Sequence, residues 1–398
     1  MKTQTALISG AGIAGPTLAY WLDKAGLRPT LIDNASSLRS GGYVIDFWGL
    51  GYDIADRMGL SEDLDRLGYH IQEMRIVDDN GQRETGFGTN VFRELTGGRF
   101  VTVRRSDLAR LLFERASPVT EMIFGDEISG LEQEQDGVNV TFQHGSPRRF
   151  DLVIGADGLH SNLRYLVFGP QDHFEVSLGY NVAAFEAQGY RPRDEDVYII
   201  HNKPGCMLAR FALRDDRTLF LFVFADNVRD VTSAHGVEAQ KVLLRSRFRG
   251  NGWESARILD ELKRSDDLYF DRVSQIHMPA WSRGRIALVG DAAFCASLMA
   301  GQGSALAMTA AYVLAGELAR RGGFHEEAFR RYETLLRPYI ETKQRGATNF
   351  SSAFAPRTTM GLFVRNFIIG AAAIPGLARL AFGRDIIDRL ALPEYAWG

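Results

Sequence analysis

Cysteine is scarce in this sequence: 398 residues contain 2, Cys206 and Cys295. Two distant thiols cannot staple a disulfide framework and lack the spacing of a metal site. No metal is therefore expected, and the cytoplasm is the expected compartment. Charge of one sign is not in excess either, with 46 Lys and Arg against 49 Asp and Glu. Without surplus cations to neutralise phosphates, no nucleic-acid partner is expected. Lys is rare among the basic residues, a bias that reads as codon composition. Long uninterrupted hydrophobic runs are missing. Residues 6–22 are mostly apolar, but Gly10, Gly12, Gly15 and Pro16 crowd the middle and Asp23-Lys24 closes the stretch. Residues 361–383 contain Arg365, Pro375 and Arg379. Neither suits a membrane span, although contact with a membrane surface stays open. There is no internal repeat, charge run or flexible linker.

What is present is ample apolar content, 45% of residues, in a chain long enough for two or three domains. Residues 5–9 form a short apolar run suited to a buried parallel strand, followed at once by Gly10-Ala11-Gly12-Ile13-Ala14-Gly15. A helical pattern ends near Gly26, and a second apolar run ends on Asp33. This is βαβ. Gly10 permits the tight turn, Gly12 lets backbone approach a pyrophosphate, and Gly15 lets the helix pack on the strand. Asp33 stands where a carboxylate would accept from ribose hydroxyls.

Two further buried-strand runs, 151–154 and 285–289, end on Asp157-Gly158 and Gly290-Asp291. Ligands bind at such carboxyl ends in open α/β sheets. Between them, 174–224 changes to extended apolar runs broken by turns, predicting an antiparallel sheet inserted into the first domain. The expected fold is α/β, a Rossmann-like domain for a ribose-bearing dinucleotide, NAD or FAD, with an inserted antiparallel-sheet substrate domain and C-terminal helices. Its expected parts are 1–73, 100–172 and 272–340 for the discontinuous dinucleotide domain (the FAD-binding domain on the resemblance given next), 74–99 and 173–271 for the substrate sheet, and 341–398 for the helical segment.

The glycine turn, the segment Asp151-Leu152-Val153-Ile154-Gly155-Ala156-Asp157-Gly158-Leu159-His160-Ser161 with Arg164, and Gly290-Asp291-Ala292-Ala293 leading to Ala300-Gly301-Gln302-Gly303 come in one order. With these three fingerprints the sequence resembles the single-component (class A) FAD-dependent monooxygenases, the para-hydroxybenzoate hydroxylase class. Arg39-Ser40-Gly41-Gly42-Tyr43, Val103-Arg104-Arg105-Ser106-Asp107-Leu108 and Asn251-Gly252-Trp253-Glu254 are most similar to the tetracycline-inactivating flavin monooxygenases.

The resemblance implies roles by position. Gly10, Gly12, Ile13, Ala14 and Gly15 would take the FAD pyrophosphate, Asp33 the adenosine ribose, and Arg105 the ribityl–pyrophosphate region. Asp291, after Gly290, would accept from ribityl hydroxyls. Ala300, Gly301, Gln302 and Gly303 would flank the flavin ring. Asp157 would bridge the cofactor and nicotinamide regions, and Arg39 would contact flavin or NAD(P)H. NAD(P)H would be a transient co-substrate, O2 the oxidant, and a flavin C4a-hydroperoxide the oxygen donor. The implied substrate is a small phenolic or polycyclic, polyketide- or tetracycline-like molecule, and the protein a monomer or homodimer. Arg210 is the candidate substrate anchor, with Phe220 and Phe222 as apolar wall. No catalytic acid or base is assigned. In the tetracycline-inactivating relatives a segment comparable to 363–392 covers the substrate entrance, so this stretch is expected to pack as helices. The sequence departs from the family pattern at Phe294, where His is usual, and at Ser297-Leu298, where a proline pair is usual. A non-hydroxylating FAD enzyme (reductase or cyclase) or a catalytically silent flavin-binding protein would share these motifs. A flavin halogenase lacks support, since no Trp-x-Trp-x-Ile-Pro segment occurs.

Overall fold

The computed structural model describes residues 4–38, 43–225, 236–297, 301–320, 322, 324–372, 388 and 390–397. Its first layer is a six-stranded sheet built outward from Thr5–Ser9. That strand pairs in parallel with Arg28–Asp33 on one side and Leu152–Gly155 on the other, Leu7 facing Thr30 and Val153. Ile286–Leu288 and Glu121–Phe124 extend it in parallel, and Ser282–Arg283 closes one edge antiparallel. The Thr5–Ser9 and Leu152–Gly155 strands are buried almost throughout, because helices cover the sheet. The chief cover is the crossover helix Ala14–Lys24, packed against the small-residue helix Gly303–Arg320.

The second layer is a seven-stranded sheet whose spatial order is Tyr269–Ile276, Glu175–Gln188, Arg217–Ala225, Cys206–Ala212, Val197–Lys203, Glu73–Val77, Arg83–Gly88. One pairing departs from the expected antiparallel pattern. Val197–Lys203 runs parallel to Glu73–Val77, Ile199 facing Arg75, because the strand from the earlier part of the chain joins from the other side. Alternation gives this sheet two apolar faces. Phe185, Phe220, Phe222 and Phe224 pack with Leu244, Phe248 and Ile258 of the helices Val237–Phe248 and Ser255–Arg264. Met207, Ala209, Phe211, Leu219, Leu221 and Val223 face the opposite way, into a cavity.

A 30-residue helix, His325–Phe354, then joins the two layers, and Thr359–Ala372 follows against the outer strand Arg83–Gly88. The expectation of helices through 392 is corrected over 390–392, which is irregular chain, as is the rest of 393–397. Beyond it, Trp397 stacks 4.6 Å from Trp21 and Tyr395 lies 5.3 Å from Tyr312. Gly316 makes room for it: a Cβ there would sit 2.2 Å from the Tyr395 ring. Among the described residues no helix is long and apolar enough to cross a membrane.

Candidate functional site

One continuous cavity of ≈ 2920 Å³ runs from the glycine turn, along the edge of the parallel sheet, to the open face of the seven-stranded sheet. At its first end each glycine has a separate reason. Gly10 holds φ +109°, and a Cβ there would lie 2.5 Å from the Ala156 carbonyl. A Cβ on Gly15 would lie 1.9 Å from the Gly10 carbonyl, so this glycine sets how closely the helix approaches the strand. A Cβ on Gly12 meets nothing nearer than Nη2 of Arg105, at 3.7 Å. Gly12 thus keeps a cradle open, with Ile13 and Ala14 on its rim. Asp33 lines the same end, accepting from the backbone N–H of Ala11 at 2.6 Å and of Ala35 at 2.9 Å.

Arg105 opens the helix Arg105–Ala116, and its backbone N–H donates to the Tyr43 carbonyl at 3.0 Å. Its guanidinium makes no hydrogen bond or ion pair among the described residues and faces the cradle. A guanidinium beside bare backbone is a donor set for phosphate oxygens, so the residues fit a dinucleotide pyrophosphate. Gly290, at φ +65°, fits between Ala14 and Ala307 and puts Asp291 on the cavity wall. Burial pushes the Asp291 carboxyl up, and Arg105 pulls it back. Gly301, Gln302 and Gly303 line the wall next to it. Asp157 also lines the cavity, yet both its oxygens serve the following helix. They accept from Ser161 Oγ at 2.5 Å and from the Leu163 N–H at 2.9 Å. Arg164 is wholly buried and ties Leu159, Gln171 and Ala292 together, a structural task. Arg39, Leu298 and Ala300 lie outside the described residues. Ser297, buried with φ +100°, shows why the departure there matters: a proline ring, fixed near −65°, cannot adopt this backbone.

At the sheet end the structure corrects two expectations. Phe220 and Phe222 do not line the cavity, because their strand turns them toward the two helices on the far face. Arg210 borders the cavity but its guanidinium is committed to carboxylates, Asp194 at 2.7 Å and Glu254 at 3.1 Å, with its side chain 3% exposed. The sequence reading missed residues that do line the cavity. Asp46 accepts from Thr102 Oγ1 at 2.5 Å and Tyr198 OH at 3.3 Å, and burial pushes its carboxyl up. Tyr43, pushed up to about 12 chiefly by burial, and Tyr269 stand where the two sheets meet. A polar residue in the apolar strand run Val-Ile-Asp46-Phe-Trp was the available signal for Asp46.

A parallel nucleotide-binding layer and a second sheet facing it across one cavity define an α/β, dinucleotide-binding oxidoreductase. The chain belongs to the FAD-binding family whose domain model matches residues 2–341. A flavin-dependent monooxygenase from an unknown prokaryotic organism is 34% identical over 360 residues, covering 87% of this chain and 89% of that protein. The solved tetracycline destructase Tet(55) is 32% identical with TM-score 0.84, covering 99% of each chain. Klebsiella pneumoniae HpxO, solved with FAD and uric acid, shares the fold at 22% identity, TM-score 0.79 and 96% coverage of each chain. The protein is an FAD-dependent monooxygenase.

Proposed function

We propose that this chain hydroxylates a phenolic or polycyclic, tetracycline- or polyketide-like molecule, using NAD(P)H and O2. The observation that carries the reading is the continuity of the cavity, which, among the described residues, joins the glycine cradle and Arg105 to an apolar sheet face without an intervening wall. When bound, FAD would supply the redox chemistry: two electrons from NAD(P)H reduce O2, one oxygen atom goes to the substrate and the other leaves as water. Gly10, Gly12, Ile13 and Ala14 with Arg105 would hold the pyrophosphate, Asp33 the adenosine ribose, and Asp291 the ribityl chain, while Gly15, which does not line the cavity, sets the helix against the strand. Gly301, Gln302 and Gly303 place the N-terminus of a long helix beside the ring, where its dipole favours negative charge. Met207, Phe211, Leu221 and Val223 exclude water and press a flat substrate toward that ring. No second Rossmann fingerprint occurs in the sequence, so NAD(P)H would be a transient co-substrate.

The reading is supported by the similarity to Tet(55), named a tetracycline destructase. Its test is oxygen uptake and NAD(P)H oxidation by the purified yellow protein with a panel of tetracyclines, fused polyketides and simple phenols. At least one compound should accelerate both. A protein that holds FAD yet consumes no oxygen with any of them contradicts the reading and favours a non-hydroxylating flavoenzyme.

A further inference from the structure

The helix Thr359–Ala372 lies against the edge strand Arg83–Gly88, and one of its residues, Arg365, lines the sheet end of the cavity. Among the described residues its guanidinium is held by neutral oxygens alone. Nη1 donates to Asn202 Oδ1 at 3.1 Å and to the Phe354 carbonyl at 3.3 Å. Nε and Nη2 donate to Asn366 Oδ1 at 3.1 and 2.7 Å. A guanidinium has five N–H donors, so one, on Nη2, is left over among the described residues. The nearest acidic influence is Glu84, which is kept off by Asn366, whose Nδ2 donates to it at 3.1 Å.

Next to this cation is a second idle donor. Asn202 gives its oxygen to Arg365, and its Nδ2 is buried without an acceptor. Buried donors left unmade are costly, and a desolvated charge more so. Burial pushes Arg365 down to about 10, which still leaves it protonated at neutral pH. Among the described residues the cavity lining on its helix and on the sheet includes the apolar Val364, Ile368, Ile200 and Met207, and no ion pair joins Arg365 to a carboxylate. The contrast with Arg210 is direct: that guanidinium, on the opposite face of the sheet, already has two carboxylates.

We infer that Arg365, seated on Asn202, anchors an oxyanion of the substrate, a carboxylate or phenolate, and makes this cavity select anionic over neutral aromatic molecules. The inference deepens the monooxygenase reading and rests on it for treating the occupant as substrate. An incoming oxyanion would take the idle Nη2 donor and compensate the charge in surroundings where a charge-assisted bond is strong.

The test is a titration of the FAD-loaded protein with naphthoate and with naphthamide, its neutral isostere, followed by tryptophan fluorescence. The wild type should bind naphthoate about tenfold or more tightly than naphthamide. Arg365→Gln should abolish that preference. Asn202→Asp keeps the arginine but gives it an internal counter-ion, and should abolish it too. Both variants should retain FAD and an unchanged visible spectrum. Equal binding of the two probes, no binding of either, or a preference surviving both substitutions would overturn the inference. A wild-type preparation that fails to hold FAD would instead indict the monooxygenase reading, and the probe comparison on it would still report on Arg365.

Discussion

The ring of Tyr43 lies 5.4 Å from that of Tyr269, inclined at 54°, and joins the segment before the strand Val44–Trp48 to the first residue of the sheet strand Tyr269–Ile276. Both phenols are pushed up, mainly by burial, Tyr43 to about 12. The contact is therefore an uncharged seam, on the cavity wall, between the two layers.

The seam predicts a pH dependence. With its folded value raised from 10.0 to about 12, Tyr43 holds its proton longer folded than unfolded. Its contribution to stability is full below pH 10 and is lost as pH rises toward 12. Tyr43→Phe should make the alkaline fall of the melting temperature shallower than in the wild type. Superimposable curves for the two proteins across that range would remove Tyr43 from this role.

Among the described residues the Arg105 guanidinium has no hydrogen-bond or ion-pair partner, and it stands by the cradle, so removing it should leave the fold intact and weaken the cofactor. Arg105→Ala is expected to lower FAD affinity by about 10–100-fold, the worth of one or two hydrogen bonds to a charged phosphate. Arg105→Lys should recover part of it as a point charge. Titration of the apoprotein with FAD measures both, and an unchanged affinity in Arg105→Ala would displace the pyrophosphate from this position.

The three glycines should separate by experiment. Gly10→Ala and Gly15→Ala drive a Cβ into backbone carbonyls at 2.5 and 1.9 Å, so both should lower the melting temperature of the apoprotein. Gly12→Ala meets only Arg105 at 3.7 Å and should melt normally while binding FAD poorly. A Gly12→Ala protein with full FAD content would show that the cradle is not used.

Substitutions on the helix-covered face of the sheet should change stability and leave ligand choice alone. Phe220→Ala should cost about 3–5 kcal/mol, as for a fully buried aromatic. Arg210→Met leaves Glu254 without its cation, while Asp194 keeps Arg75 at 3.5 Å, and should cost about 3–5 kcal/mol, less to the extent that Asp194 is paired and solvated. Chemical denaturation gives these figures. A marked change in probe selectivity in either variant would return Arg210 or Phe220 to the binding surface.

The nucleotide-binding unit was legible because its logic is local. Strand, Gly10 to Gly15, helix and Asp33 lie within a few dozen residues, and each glycine answers a steric demand made nearby. The sheet was legible as strands but not as faces. Alternation places Phe220 and Leu221 on opposite sides, and the choice between them is made by Leu244, Phe248 and Ile258, supplied by later helices. Arg210 was misread for the same reason. Its carboxylates, Asp194 and Glu254, lie 16 and 44 positions away, and no local pattern announces them. Arg365 marked only a break in an apolar stretch until Asn202, 163 positions earlier, was brought against it. The irregular C-terminal chain escaped because Tyr395 and Trp397 pack as aromatic plugs against Tyr312 and Trp21, which periodicity does not encode.

FAD chemistry in this cavity should put an oxygen atom into an aromatic molecule lying on the sheet. The decisive experiment runs the accelerated reaction under heavy-isotope O2 and weighs the product. That product should carry one heavy oxygen atom, formed with consumption of NAD(P)H. Oxidation of NAD(P)H with all the heavy oxygen recovered as peroxide or water, and the aromatic compound unchanged, would refute hydroxylation.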